Sequence, residues 1–293
     1  MDPSPSFMES RVDPSRRNLL KTLAASFVLP ALPARGQGPL LFGTTPVILD
    51  DQAGFLARWQ NYLEVRLRRP VRFVQRNTYR EIMGLLLDDR LDCAWVCGYP
   101  YVRHKAQLDL LAVPVYQGQP RYRSYLIVPA DDHETRSIAD LAGKVFAYSD
   151  PDSNSGWLTP QVELKRLGAD PARFFRKAFF TWGHRKVVEA VAAGLAQGGS
   201  VDGYIWDTLA KLHPELTGAT RVAWRSDLFG FPPLVTRANV ARRECEALRE
   251  VLLHMAIDPR GCVLLNDLNL DGFEAGEPAL FASIDANWRY VGA

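Results

Sequence analysis

A run of small polar side chains at residues 149–157 is the segment of this sequence best suited to bind an anion. It contains Ser153, Asn154, Ser155 and Gly156, and it lies between a predicted strand and a predicted helix. Backbone N–H groups at a helix start, hydroxyl and amide donors, and the positive end of the helix dipole together suit a ligand with several oxygens. The same residue types also serve as ordinary helix N-caps, so this segment alone leaves both interpretations open.

Polar residues of two later segments are predicted to face the same cleft. His184 comes directly before a predicted helix. A lone histidine is more often structural, but the other polar segments predicted at the same cleft make His184 a ligand candidate. Asp202 and Asp207 flank a predicted strand at residues 203–206, whose carboxyl end opens into the cleft. Asp207 is the candidate retained from this pair, although it equally suits the N-cap of the following helix.

Aromatic and sulfur side chains accompany an earlier predicted strand. Trp95 and Tyr99 could cover a bound ligand there, although core packing competes with this role and is favoured for Trp95. Cys93 and Cys97 are predicted on that one strand, where about 3.3 Å per residue places their Cα atoms roughly 13 Å apart, too far for a disulfide. Buried thiols are therefore expected.

Enzyme signatures are largely missing from the sequence. It has no His-Glu-x-x-His, Cys-x-x-Cys or Gly-x-x-x-x-Gly-Lys motif, which removes the common zinc, redox and nucleotide classes. Ser153 and Ser155 lack the Gly-x-Ser-x-Gly strand-turn-helix elbow of serine hydrolases. We therefore expect a protein that binds its ligand without turnover, cofactor or metal, and a phosphoester hydrolase using Ser153 and His184 is the less favoured alternative.

The elements that position these residues alternate between short apolar runs and amphipathic helical segments, which is typical of α/β architecture. One strand-helix-strand-helix-strand unit covers residues 40–97, and a second α/β unit covers residues 144–205. Extended runs at residues 121–128 and 231–235 are predicted to carry the chain between two lobes. The mostly helical tail at residues 242–268 is expected to fold back on the first lobe.

This organisation predicts two α/β lobes joined by a hinge, with residues 37–124 and 237–293 in one lobe and residues 125–236 in the other. The 293 residues are 47% hydrophobic and 23% charged, an ordinary globular composition that is large enough for two cores. The net charge of +2 comes from 35 basic and 33 acidic residues without a basic stripe. Nucleic acid is therefore excluded as the expected partner.

The first 36 residues read as an export signal. Arg16 and Arg17 form a twin-arginine signature, a short apolar stretch follows at residues 22–32, and small residues at 34–36 suit cleavage. The apolar stretch is too short for a membrane span, which needs about 20 residues. A twin-arginine signal peptide and a periplasmic location are expected. In an exported protein, Cys245 and Cys262 lie in separate predicted helical segments, so their pairing stays open.

Taken together, several segments resemble the phosphate/phosphonate-type solute-binding proteins of ABC transporters. The resemblance rests on residues 150–156, 184–194 and 201–203, and on residues 91–102 for the first lobe. It implies a type II periplasmic-binding fold with a hinge-bent cleft, a small oxyanion ligand, a monomer, and an ABC permease in the inner membrane as partner. The ligand-holding residues that it implies are Ser153, Asn154 and Ser155, with His184 helping and Tyr99 or Trp95 closing from the opposite lobe.

Two departures from that family's pattern matter. Phosphonate binders commonly have Thr at the position of Asn154, and Asp207 is the one convincing carboxylate for holding a ligand amino group, which places an aminoalkyl ligand in doubt. Cys97 instead resembles the arsenite-sensing branch, whose binding protein partners a sensor kinase. That resemblance implies an alternative in which Cys97 is a soft ligand for As(III) and the partner is a sensor histidine kinase.

Overall fold

The structure is a computed structural model that describes residues 38–45, 53–238 and 242–292. The predicted twin-arginine signal peptide lies outside these residues. None of the helices in the described part is long and apolar enough to cross a membrane. Two separate sheets organise the described chain, and we call the six-stranded sheet with its helices lobe 1 and the five-stranded sheet with its helices lobe 2.

The sheet of lobe 1 combines segments from both ends of the described chain. Its spatial order is β13-β4-β12-β3-β1-β2, with β1 parallel to β2 and β3, and β12 antiparallel to β3 and β4. The strands are β1 (Leu40–Thr44), β2 (Val71–Gln75), β3 (Cys93–Trp95), β4 (Leu108–Val115), β12 (Leu234–Arg237) and β13 (Gly272–Glu274). Thr44 and Trp95 end the central strands β1 and β3, so the residues that follow them lie at one edge of the sheet.

The sheet of lobe 2 comes from the middle of the chain. Its order is β10-β6-β9-β7-β8, with β7 parallel to β8 and β9, and β6 antiparallel to β9 and β10. The strands are β6 (Ser124–Pro129), β7 (Val145–Tyr148), β8 (Lys177–Phe180), β9 (Gly198–Asp202) and β10 (Thr220–Arg225). The parallel strands β7, β8 and β9 bring residues 149, 181 and 203 to one edge, where ligands bind in open α/β sheets.

Two extended segments join the lobes. β5 (Arg121–Tyr122) and β11 (Phe229–Gly230) pair antiparallel in a small sheet of their own. The Phe231 N–H also donates to the Pro120 carbonyl at 2.9 Å. Because both crossings belong to this ribbon, the lobes are connected by two adjacent strands rather than by a single flexible linker.

Helices cover the faces of both sheets. In lobe 1 they are α1 (Ala53–Leu67), α2 (Tyr79–Leu87), α3 (Gly98–His104), α9 (Arg242–Leu253), α10 (Pro259–Asp267) and α11 (Ala282–Gly292). In lobe 2 they are α4 (Thr159–Arg166), α5 (Pro171–Phe174), α6 (His184–Ala192), α7 (Gly203–Leu212) and α8 (Pro214–Thr217). α2 begins with a capping box in which the Thr78 hydroxyl and the Glu81 carboxylate satisfy each other's backbone N–H groups.

Each lobe has an aromatic centre. In lobe 1, Trp59 is fully buried and contacts Phe42 and Phe73 with ring centroids 5.4 and 5.1 Å apart. In lobe 2, the rings of Phe146 and Phe175 stack at 4.4 Å. Burying one large apolar side chain contributes about 1.5–3 kcal/mol, so these clusters hold the sheets and their edges in place.

Three sequence-based expectations about elements are corrected by the structure. The predicted strand through residue 97 stops at Trp95, and Cys97 is the N-cap of α3. The predicted strand at residues 203–206 is the first turn of α7, because Asp202 caps that helix by accepting the Tyr204 N–H. Residues 234–236 pair in the lobe 1 sheet, and Ser124 pairs in the lobe 2 sheet, opposite to the predicted division between lobes.

Candidate ligand-binding site

The 149–157 loop connects β7 to a single turn of π-helix, Asn154–Leu158, that leads directly into α4. The Ser153 hydroxyl caps this turn by accepting the Gly156 N–H at 3.0 Å. The Leu158 N–H closes the wide turn by donating to the Ser153 carbonyl. Such π turns concentrate at functional sites because they turn backbone and side chains away from the regular helix path.

Gly156 is required for the shape of this loop. A Cβ added to Gly156 would lie 1.8 Å from Ser149 Oγ and 2.7 Å from Ser149 Cβ, well inside van der Waals contact. The Ser149 N–H also donates to the Gly156 carbonyl, so the start and the end of the loop touch. The loop therefore closes on itself only with glycine at position 156.

Several polar atoms at this edge are buried without a hydrogen-bond partner. They include Ser149 Oγ, Asn154 Oδ1 and Ser155 Oγ of lobe 2, and Thr44 Oγ1 at the carboxyl end of β1 in lobe 1. A buried polar atom without a partner costs about 1–3 kcal/mol, and native proteins rarely retain one without a function. Thr44 and Ser149 lie at the carboxyl ends of β1 and β7, the sheet edges at which ligands bind in open α/β folds, so these atoms are candidate ligand contacts.

Hydroxyl groups of neighbouring strands hold the loop from behind. The Ser155 carbonyl accepts from Ser124 Oγ of β6 at 2.8 Å and from Ser200 Oγ of β9 at 2.6 Å. The Tyr122 hydroxyl, which comes from the hinge strand β5, accepts from Asn154 Nδ2 at 2.9 Å. Because this bond uses a lone pair of the phenol oxygen, the Tyr122 O–H remains able to donate elsewhere.

His184 is a neutral donor in this environment. It is the first residue of α6, it is buried, and its Nδ1 accepts the Asp202 N–H at 3.1 Å. Burial lowers the pKa of His184 to about 3. The bond to Nδ1 leaves the ring proton on Nε2, so His184 offers an N–H group without a positive charge.

Two buried carboxyl groups lie in the same region. Burial raises the pKa of Asp202 to about 8, against the opposing effect of the helix N–H groups that it caps. Burial also raises the pKa of Asp150 above its ordinary value. In the described part of the chain, no hydrogen bond from lysine or arginine reaches Ser153, Asn154 or Ser155, so these three residues present neutral donors and acceptors.

Charged residues at the rim of the loop tie it to lobe 1. The Asp152 carboxylate accepts from Arg103 of α3 at 2.9 Å and from Arg80 of α2 at 3.3 Å. The neighbouring Asp150 carboxylate accepts the Tyr79 N–H at the start of α2 at 3.2 Å. These bonds cross the cleft, because the aspartates belong to lobe 2 and their partners to lobe 1.

An aromatic pair and a sulfur contact add to this cross-cleft interface. Tyr99 of α3 stacks on Trp157 of the loop, with ring centroids 6.0 Å apart, and the Arg103 guanidinium lies over the Tyr99 ring, 5.5 Å from its centroid. Cys97 Sγ accepts the Asn154 N–H at 3.2 Å. Tyr99 thus lies at the cleft, where sequence analysis expected an aromatic cover, but its described stacking partner is a protein ring.

α11 forms a second contact between the lobes. Its Asp285 carboxylate accepts from Lys105, next to α3, at 2.9 Å, which keeps the helix on lobe 1. Farther along α11, the Tyr290 carbonyl accepts from Lys165 of α4 at 2.7 Å, and the Lys165 ammonium lies 5.1 Å from the Tyr290 ring. The helix therefore reaches the element that continues directly from the 149–157 loop.

Trp95 and Asp207, which were both predicted to contact the ligand, have hydrogen-bond partners within the protein. Trp95 is a core residue, 1% exposed, because its indole donates to the Pro232 carbonyl at 2.9 Å and its ring packs edge-on against Trp59. These contacts agree with the core role that the sequence favoured for Trp95, and its ligand role stays a prediction. Asp207 accepts from the hydroxyls of Tyr116 at 2.8 Å and Tyr125 at 3.0 Å, so its carboxylate already has protein partners.

The Cys97 thiol has little thiolate character at neutral pH. Burial raises its pKa to about 12, against a smaller lowering by the Asn154 N–H. A thiolate is the form that binds soft metals and metalloids, so this environment does not favour the arsenite-sensing alternative. None of the four cysteines forms a disulfide, including Cys245 and Cys262, whose pairing was left open. Among the described residues, no cluster of three or more metal-ligating side chains could hold an ion.

Three residues of the site were not identified from the sequence as ligand candidates. Tyr122 lies on the hinge strand, 32 positions before Asn154, and the local sequence does not indicate that its hydroxyl reaches the loop. Thr44 was predicted only as the end of a strand. Asp202 was noticed beside Asp207 but was set aside, although the burial of its carboxyl group could have been inferred from a strand buried on both faces.

Comparisons with known proteins place these features in a family. Residues 42–281 match a family model described as "ABC transporter, phosphonate, periplasmic substrate-binding protein". The chain is 26% identical over 216 residues to the phosphate-import protein PhnD of Mycolicibacterium smegmatis, covering 69% of this chain and 63% of that protein. It is 24% identical over 261 residues to the phosphonates-binding periplasmic protein of Escherichia coli, covering 86% of this chain and 76% of that protein.

Solved structures share the fold. A binding-protein component of an ABC phosphonate transporter from Pseudomonas aeruginosa superposes with a TM-score of 0.79 at 22% identity, covering 87% of each chain. PhnD1 from Prochlorococcus marinus, solved in complex with methylphosphonate, superposes with a TM-score of 0.78 at 18% identity, covering 86% of this chain and 98% of that one.

The predicted type II periplasmic-binding fold, with two α/β lobes, is thereby confirmed. The family model spans most of the chain, including both sheets and the 149–157 loop. The chain therefore belongs to the family of periplasmic substrate-binding proteins of phosphonate ABC transporters.

Proposed function

We propose that this protein captures a phosphate- or phosphonate-like oxyanion between its lobes and delivers it to an ABC permease in the inner membrane. The observation that carries the proposal is the set of buried, unpartnered polar atoms at the 149–157 loop. Charge-assisted hydrogen bonds are worth about 1.5–3 kcal/mol each, so three or four of them support micromolar capture of a tetrahedral anion.

The proposed ligand contacts follow from the geometry of the loop. Ser155 and Ser149 supply hydroxyl groups, and Tyr122 directs its free O–H proton to the anion. His184 supplies its Nε2–H group from the start of α6. Ser153 shapes the loop as its N-cap and places the amide groups of the first turn.

The protein would meet its ligand after export from the cytoplasm. Export through the twin-arginine route, guided by Arg16 and Arg17, would place it in the periplasm as a monomer.

The β5–β11 ribbon would act as the hinge, and the contacts of Asp150, Asp152 and Tyr99 would form when the lobes close. We keep the proposed lobe assignment of residues 37–124 with 237–293 to lobe 1 and of residues 125–236 to lobe 2. The exceptions are Ser124, which pairs in the lobe 2 sheet, and residues 234–236, which pair in the lobe 1 sheet.

Isothermal titration with methylphosphonate and inorganic phosphate tests the function. We expect micromolar binding of one or both anions by the wild-type protein. Ser155→Ala should weaken binding roughly 10- to 150-fold, because it removes one bond to a charged ligand. Ser283→Ala, at an exposed serine, is the matched control and should bind normally. Absence of binding to both anions by the wild-type protein would contradict the proposal.

The hydrolase alternative has a separate measurement. Ser153 Oγ accepts the Gly156 N–H, and His184 Nδ1 accepts the Asp202 N–H, so both groups have structural partners. Incubation with phosphate esters and phosphonates should release no phosphate above the rate without protein. Catalytic release that disappears in a Ser153→Ala variant would support the enzyme and contradict simple binding.

A further inference from the structure

Asn154 has one polar side-chain atom without a protein partner, and that atom is an acceptor. Its backbone N–H donates to Cys97 Sγ at 3.2 Å, and its Nδ2 donates to the Tyr122 hydroxyl at 2.9 Å. Its carbonyl accepts from Thr159 Oγ1 at 2.9 Å. Oδ1 is the remaining polar atom, and it is buried without a partner. Both groups of Asn154 that could attract an anion are therefore already occupied.

The position of this acceptor is unusual for a site that binds an anion. Asn154 lies between Ser153 and Ser155, whose backbone and hydroxyl groups form the loop to which we assign the oxyanion. An amide oxygen that faces a deprotonated anion oxygen is repelled and also stays unsatisfied. The contact becomes a hydrogen bond only when the facing ligand oxygen, or another ligand atom there, carries a proton.

We propose that Asn154 is a specificity-determining residue that selects oxyanions retaining an acidic O–H group over anions of the same shape without one. The inference rests on the proposed function, since it concerns the same site. A monoanionic phosphonate would donate its P–O–H proton to Asn154 Oδ1, while its other oxygens accept from the hydroxyl and N–H groups of the loop. A sulfonate of equal size and charge has no proton to donate and leaves Oδ1 unsatisfied.

Several ionisable groups lie around Asn154. Burial raises the pKa of each neighbouring phenol, thiol and carboxyl group and lowers that of the imidazole, while the Asp152 carboxylate is paired with arginines. These groups are Tyr79 of α2, Cys97 at the start of α3, Tyr122 of β5, Asp150 and Asp152 of the loop, His184 of α6 and Asp202 of β9. Those of them that accept hydrogen bonds also respond to a ligand O–H group, so variants at position 154 are needed to assign the preference to Asn154.

Methylphosphonate and methanesulfonate test this selectivity. At a mildly acidic pH both are monoanions with one methyl group and three oxygens, and only methylphosphonate has an O–H group. Isothermal titration of the wild-type protein should give an affinity on the order of 10- to 100-fold higher for methylphosphonate, from the cost of one unsatisfied buried acceptor. Equal affinities would overturn the inference and leave the proposed function intact. Failure of both anions to bind would contradict the proposed function as well.

Variants at position 154 assign the preference to this side chain. Asn154→Ser offers a hydroxyl that can either donate or accept, so its preference for methylphosphonate should fall toward equal affinity. Asn154→Asp keeps an acceptor, and it should retain the preference even though its charge weakens binding of both anions. Asn61→Ser, at an exposed position of α1, is the control for the substitution itself. A full preference in a folded Asn154→Ser variant, with folding checked by thermal unfolding, would overturn the assignment.

Discussion

The two edges of the cleft present different groups to each other. The lobe 2 edge carries neutral polar atoms that have no protein partner, such as Ser149 Oγ and Ser155 Oγ. The lobe 1 edge carries Arg80, Arg103 and Tyr99, which contact the rim of the lobe 2 loop. Under the proposed function, recognition of a ligand and closure of the lobes would therefore use different atoms, although both sets meet on the 149–157 loop.

This division has an energetic reason. A cationic side chain placed among the buried atoms of the loop would need desolvation and would bind any anion strongly, with little selectivity. At the rim, Arg80 remains largely exposed and Arg103 is about one-third exposed, so their pairs with Asp152 are formed at modest cost. We therefore expect substitutions in the loop interior to change binding more than substitutions at the rim.

The largest expected effect comes from closing the space inside the loop. Gly156→Ala should abolish measurable anion binding and lower the free energy of unfolding by about 1–3 kcal/mol, because its Cβ would overlap Ser149. Gly84→Ala, at a site in α2 where a Cβ meets no atom within 4 Å, should leave stability unchanged or raise it. Normal binding by Gly156→Ala would mean that the interior of the loop is not the binding surface.

A pH dependence of stability should arise from the loop side of the cleft. Above the ordinary pKa of an aspartate, the unfolded chain loses the Asp202 proton, while burial keeps that proton on the folded protein up to about pH 8. The folded state then binds more protons, so stability falls as pH rises. Below about pH 6.5, His184 acts in the opposite direction, because its folded ring stays neutral while the unfolded ring binds a proton.

Thermal unfolding of the ligand-free protein between pH 6.5 and 8 isolates the aspartate, with a slope of at most about 1.4 kcal/mol per pH unit. The midpoint should fall across this window, and above it the buried thiols of Cys93 and Cys97, whose pKa values burial also raises, should continue the fall. Asp202→Asn keeps the helix cap and should reduce the slope, with a remainder from Asp150. Asp258→Asn is the control, since Asp258 also caps a helix but has a lowered pKa. An unchanged slope in Asp202→Asn would contradict the assignment.

The smallest effect is expected at the rim. Asp152→Asn should weaken ligand affinity by about two- to fivefold, because the closed form loses ion pairs worth about 0.5–1 kcal/mol, and added salt should reduce the difference. Asp285→Asn is a close match, since Asp285 also lies between two cations, Lys105 and Arg289, but within lobe 1. A larger loss in Asp285→Asn than in Asp152→Asn would show that closure does not depend on the cross-cleft pair.

Local patterns were sufficient to predict the loop but not its surroundings. Ser153, Asn154 and Ser155 are neighbours in sequence and precede a helix, so their shared surface follows from the chain itself. Tyr122 reaches them only because β5 crosses between the lobes, and a contact over 32 positions leaves no local pattern. Tertiary pairing decides such contacts, and hydrophobic periodicity does not encode it.

The errors in secondary structure have a similar cause. The apolar residues from Gly203 to Trp206 fit either a buried strand or a helix, and the Asp202 cap decided for the helix. The preference of Trp95 for the core was identified correctly from the sequence, and its inclusion among ligand residues stays a prediction. Cys97 was placed on the preceding strand because a run of apolar residues continues through position 97, while the helix of residues 98–104 begins directly after it.

The contact between Lys165 and Tyr290 has a practical use for measuring occupancy. It joins α11, held on lobe 1 by Lys105, to the helix that continues from the binding loop. Movement of lobe 2 therefore changes the surroundings of Tyr290, which is 42% exposed and accessible to labelling. An environment-sensitive dye attached through Tyr290→Cys, in a Cys262→Ser background that removes the exposed native thiol, would turn the protein into an optical sensor whose signal arises far from the ligand.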